Sequence, residues 1–174
     1  MLEAYRNHVA ERAALNIPPK PLNAEQVAEL VELLKNPPAG EEDYLLELIS
    51  NRVPPGVDEA AYVKAGFLSA LIGDKTSSPV IDKKTAIALL GNMHGGYNIE
   101  TLVGLLTDTD FGVAAATELK HTLLAFEAFH DIAELATSGN VNAQAVMQSW
   151  ANAEWFTDRT EVPASIKVSV FKVT

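Results

Sequence analysis

Apolar residues along this chain recur with the 3.6-residue period of a helix that packs on one face. Val27, Leu30, Val31 and Leu34 stand at i, i+3, i+4 and i+7 and form a single stripe. Asn23 precedes them as a cap for the first turn, and Gln26 occupies the reciprocal capping-box position. Pro37-Pro38 ends this helix, because proline lacks an amide donor and clashes with the preceding turn. The next helix opens on Glu41, Glu42 and Asp43, which suit the positive end of a helix dipole, and buries Leu45, Leu48 and Ile49. Pro54-Pro55-Gly56 is the following break, with Asp58 as a cap. Val63, Phe67, Ala70 and Leu71 then form a stripe that closes at Gly73. Asp82 caps a helix carrying Ala86, Leu89, Leu90 and Met93, which Gly95-Gly96 stops. Asn98 starts another with Ile99, Leu102, Val103 and Leu106. Further helices are predicted from about Phe111 to Phe126, from Ala128 to Ser138 and from Val141 to Phe156.

The stripes begin on average about every 18 residues, so a helix pair returns about every 36, the period of two-helix solenoid repeats. The individual intervals are irregular and no TPR consensus residues recur. This favours an all-α, HEAT-like stack of helical pairs, a right-handed α-α superhelix, with a simple helical bundle as the alternative. In the last helix, Val146, Met147, Trp150, Ala151 and Trp155 spread over about half the circumference, which predicts cover on more than one side. After Pro163 the period changes. Ile166, Val168 and Val170 alternate with Lys167 and Ser169, the pattern of a strand. A lone strand cannot satisfy its own donors and acceptors. Residues 1–160 are therefore expected to form the helical domain, and 161–174 a linker and the first strand of a second, β-containing domain of a larger protein.

Composition narrows the chemistry. With 48% apolar and 21% charged residues over 174 positions, the chain has ordinary folded-protein composition. No apolar run approaches the roughly 18 residues of a membrane-spanning helix. Glu3, Arg6, His8, Glu11 and Arg12 leave no apolar leader core at the start, and a cytoplasmic protein is expected. There is no cysteine, which excludes disulfides, thiolate zinc sites, a cysteine nucleophile and iron–sulfur ligation by thiolates of this chain. The formal net charge is −10, and the 13 basic residues are scattered, with no run longer than Lys83-Lys84. Non-specific nucleic-acid contact needs clustered cations, so the acidic balance argues against it.

The four histidines are His8, His94, His121 and His130. Glu127-x-x-His130 has the spacing of a di-iron carboxylate motif, but no second copy and no further inward pair of glutamates is recognisable. A partly exposed histidine on a helix face is the preferred reading. His94-Gly95-Gly96-Tyr97-Asn98 would let a ligand approach the backbone, yet a tight interhelical connection explains the same residues. The connection is preferred. His121 lies near Glu118 and Lys120 without a nucleophile at useful spacing, and Trp150 and Trp155 read as packing residues. No GxSxG, P-loop, dinucleotide-binding glycine pattern or HExxH occurs. No catalytic, cofactor-binding or metal-ligating residue is assigned.

Specific stretches add more than periodicity. Leu33 to Glu42 (LLKNPPAGEE), Asn51 to Phe67 (NRVPPGVDEAAYVKAGF), Gly95 to Ile99 (GGYNI), His121 to Leu124 (HTLL), Val146 to Phe156 (VMQSWANAEWF) and Val170 to Thr174 (VFKVT) resemble, in order, the start of the aconitase B family. Gly73 to Ile81, Asp108 to Glu118 and Asp158 to Ser165 match it more weakly. The resemblance implies an N-terminal HEAT-like domain ahead of a swivelling domain and cluster-bearing domains. It implies citrate–isocitrate interconversion through cis-aconitate, and hydration of 2-methyl-cis-aconitate, at a [4Fe–4S] cluster held by three cysteines. Those cysteines and the substrate-binding residues would all lie beyond Thr174, and the strand at Ile166 would open the swivelling domain. The expected partners are the remaining domains in cis, with a homodimer or a neighbouring metabolic enzyme as further candidates. RNA contact, which aconitases of several kinds show, is not expected through so acidic a segment. A free-standing helical adaptor is the alternative from another functional class.

Overall fold

The computed structural model describes residues 1–122 and 125–153. Among them every regular element is a helix: α1 Leu2–Ala14, α2 Ala24–Lys35, α3 Glu42–Asn51, α4 Glu59–Ile72, α5 Lys83–Gly91, α6 Ile99–Gly104 with a 3₁₀ turn at Leu105–Thr107, α7 Gly112–Leu119, α8 Phe129–Thr137 and α9 Val141–Ala151. The strand expected at Ile166 to Val170, the linker before it and Trp155 lie outside the described residues.

The starts of the helices follow local chemistry. Asn23 and Gln26 form the complete reciprocal box, with the Asn23 side chain accepting from the Gln26 amide at 2.8 Å and Gln26 accepting from the Asn23 amide at 3.0 Å. Asp58 and Asp82 accept from the Ala61 and Thr85 amides, as their positions predict. The caps and the stripes agree.

The helices stack in chain order. α2 packs on α3 and α4, α4 on α5, α5 on α7, α6 on α7, and α9 on both α7 and α8. Consecutive helical pairs thus bury one another, and the described residues form an all-α helical stack. Its core is one continuous cluster that includes Leu30, Leu34, Leu45, Leu48, Leu68, Leu90, Leu102 and Leu106, all fully buried. No helix among the described residues is long and apolar enough to cross a membrane.

Four local expectations need correction. α1 carries no apolar stripe and was not predicted; it buries only Tyr5, whose hydroxyl donates to the Lys20 carbonyl at 2.8 Å. The core face of α4 is wider than the stripe through Val63 and Ala70, which are only half-buried, because α4 is flanked by both α2 and α5. It buries Ala60, Ala61, Ala65, Leu68 and Leu71, and also Lys64. α5 closes at Gly91, before the glycine pair. α7 ends at Leu119 and does not run on to Phe126. There the backbone tightens to i+3 bonds, the His121 amide donating to the Glu118 carbonyl and the Thr122 amide to the Leu119 carbonyl, and the Trp150 indole also donates to the Leu119 carbonyl.

Candidate functional site

Two loops meet at one edge of the stack, and each is built from residues that allow close backbone approach. Pro54-Pro55-Gly56 joins α3 to α4, and His94-Gly95-Gly96-Tyr97 joins α5 to α6. The His94 amide donates to the Pro55 carbonyl at 2.7 Å, and the Tyr97 hydroxyl donates to the Val57 carbonyl at 2.9 Å. Between these bonds, a Cβ on Gly95 would stand 2.1 Å from the Gly56 carbonyl oxygen, so only glycine fits. Gly96 has φ +88°, the left-handed region that glycine enters without strain. The glycines serve backbone-to-backbone packing, as the reading of a tight connection holds.

Asn98 corrects that reading in one respect. Its side chain makes no cap bond to α6. It is fully buried and donates through Nδ2 to the carbonyls of Leu90 at 2.9 Å and Met93 at 3.3 Å, tying α6 to the end of α5. Its Oδ1 has no hydrogen-bond partner among the described residues.

Around this clasp lies an apolar surface. Val57, Tyr62, Tyr97 and Phe126 are 74%, 65%, 38% and 77% exposed. Tyr62 and Tyr97 meet edge to face at 5.3 Å between ring centroids. A groove of about 760 Å³ runs past Tyr62, Gly66, Ser69, Tyr97 and Thr101. A second, of about 480 Å³, is lined by Val57, Tyr97 and Phe126. Gly96 borders both, and a third groove leaves it between Glu100, Glu127 and Asp131.

The other candidate groups are dispersed. His8 accepts from the Lys20 amide at 3.0 Å. His94 sits exposed on the clasp, and His121 at the exposed end of α7. His130 packs edge-on against Phe129 at 5.8 Å, and both His130 and Glu127 face solvent. Trp150 stacks on Phe129 at 6.3 Å while its indole holds the Leu119 carbonyl, which makes it a packing residue. Burial raises the Glu118 carboxyl above its ordinary range, and the imidazole of His121 opposes that rise. Among the described residues, no three His, Asp or Glu side chains converge as a metal-sized cluster.

Lys64 is the charged group that sequence reasoning missed. It lies on the apolar face of α4, one turn from Ala60 and from Leu68, and only 3% of it is exposed. Burial pushes its ammonium down from 10.5 to about 8. The signal was in the sequence, since the i−4 and i+4 neighbours of Lys64 are both apolar.

Fold and site together define a helical-stack domain whose conspicuous surface is an aromatic-lined clasp of two loops. Residues 4–156 match the family described as the aconitate B N-terminal domain, and the chain belongs to that family. It is 65% identical over 173 residues to aconitate hydratase B of Pseudomonas aeruginosa and 59% identical over 174 residues to that of Escherichia coli strain K12. The Helicobacter pylori strain J99 aconitate hydratase B is 44% identical over 174 residues. These alignments cover 99%, 100% and 99% of this chain, and the chain spans 20% of the length of each relative.

Proposed function

We propose that this chain is the non-catalytic N-terminal domain of a cytoplasmic aconitate hydratase B, which interconverts citrate and isocitrate through cis-aconitate and also dehydrates 2-methylisocitrate. The single observation behind this is identity of up to 65% across 99% of the chain to a protein bearing that name. Such an enzyme carries a [4Fe–4S] cluster, whose open iron supplies Lewis-acid polarisation of the substrate's hydroxyl and carboxylate oxygens. The residues present do not fit that cluster, because the chain contains no cysteine thiolate to hold it. No step of the reaction is therefore assigned to these helices.

Their role in this reading is accessory. The stack walls the approach to a reactive centre supplied by the other domains, and offers a surface for self-association or for a neighbouring enzyme. Stacked helical pairs expose extended faces suited to both tasks. The alternative of a free-standing adaptor has less support, since identity runs over nearly the whole chain to much longer enzymes. The test is enzymatic. The complete polypeptide should hydrate cis-aconitate, and residues 1–174 alone should show no turnover; measurable hydration by the purified segment would overturn the assignment.

A further inference from the structure

We infer that the aromatic clasp formed by Val57, Tyr62, Tyr97 and Phe126 is the face on which the C-terminal remainder of the longer polypeptide docks. The inference rests on the reading that this chain is the N-terminal part of a longer enzyme, and names the surface through which that part is held.

Three observations carry it. The first is exposure: four large exposed apolar side chains are brought together around one clasp, through the Tyr62–Tyr97 ring contact and the groove that Val57, Tyr97 and Phe126 share. A contiguous apolar patch rimmed by polar groups marks an interaction site, whereas single exposed apolar residues do not. The second is preorganisation. The His94–Pro55 and Tyr97–Val57 hydrogen bonds and the contact of Gly95 with Gly56 fix both loops before anything binds. A surface that needs no ordering loses little entropy on association. The third is the amount of chain to be accommodated, since relatives matched along this whole chain are five times its length, the chain being 20% of each.

Charge describes the occupant. Glu100, Glu127 and Asp131 line the groove that leaves Gly96, and Asp58 and Glu59 flank Val57. Lys35 and Lys75 line the larger groove past Tyr62, so the complementary surface carries apolar side chains at its centre, Lys or Arg opposite the carboxylates, and Asp or Glu opposite those two lysines. Aromatic anchors within a polar rim are the arrangement from which interfaces draw most of their binding energy.

The experiment is tyrosine iodination read by peptide mass spectrometry, on the complete polypeptide and on residues 1–174, with cis-aconitate hydration assayed in the same preparation. Tyr62 and Tyr97 should react severalfold more slowly in the complete polypeptide, independently of protein concentration. Tyr62→Lys and Phe126→Lys in the complete polypeptide should restore labelling of Tyr97, while Val113→Lys, at an exposed position outside the grooves, should not. Full labelling in an active complete enzyme overturns the proposal. Protection that grows with concentration also overturns it, in favour of a second copy. Equal protection in the 174-residue chain overturns it because the chain then covers its own patch. An inactive complete polypeptide with protected tyrosines would instead sink the aconitase reading and leave the docking face standing.

Discussion

Two of the chain's three proline pairs, Pro37-Pro38 and Pro54-Pro55, follow helices and do different work. Pro37-Pro38 leads to Gly40, whose φ of +82° turns the chain into α3 in open space, with nothing within 4 Å of a notional Cβ. Pro54-Pro55 leads to Gly56, which is pressed against Gly95 and whose neighbour Pro55 accepts a bond from the second loop. Both pairs end a helix by the same mechanism. One break is only punctuation. The other is half of a clasp that arranges the aromatic edge. Identical local sequence signals thus separate into connection and surface construction only when the partner loop is known.

The largest expected effect breaks the clasp. Gly95→Ala should destabilise the domain by about 3 kcal/mol, since the new methyl meets a backbone carbonyl that cannot step aside. Chemical denaturation would measure this, and a loss below about 1 kcal/mol would show that the loops separate easily. Next comes Lys64. Its folded-state pKa of about 8 lies below the unfolded 10.5, so its burial penalty is fully present below pH 8 and disappears as pH rises through 10.5. The penalty is at most about 3 kcal/mol. Lys64→Met should raise the melting temperature at pH 7 and make little difference near pH 11, and equal effects at both pH values would refute a neutralising lysine. The smallest effect belongs to the open turn. Gly40→Ala should cost about 1 kcal/mol, from the left-handed backbone alone. If Gly40→Ala proves as damaging as Gly95→Ala, the contrast between the two breaks is lost.

Much of the fold was legible because it is set by neighbours in sequence. Asn23, Asp58 and Asp82 cap the helices that their spacing predicts, and the stripes of α2, α3 and α5 are the buried faces. What was illegible depends on distant partners. Nothing near Leu119 announces the end of α7, and the Trp150 indole that joins the Thr122 amide on its carbonyl lies 31 residues away. Asn98 looks like a cap from its neighbours, yet its Nδ2 donates back to the carbonyls of Leu90 and Met93 and its Oδ1 takes no amide of α6. α1 lacks periodicity because it rests on the stack through little more than Tyr5. The clasp itself was visible as a glycine-rich connection, but its aromatic edge was not, since Val57, Tyr62 and Phe126 come from separate segments.

The amide of Asn98 has a mechanical consequence. In a stack where helices touch mainly their sequence neighbours, damage spreads along one dimension and fades with distance. A fully buried rivet holds the start of α6 to the end of α5, beside the α5–α7 contact that carries the line onward. Strain applied at α9 passes through α7, α5 and α4 before it reaches α2, with Asn98 holding α6 beside that path, and the buried backbone along it is the last place where amides should trade their hydrogens for deuterium.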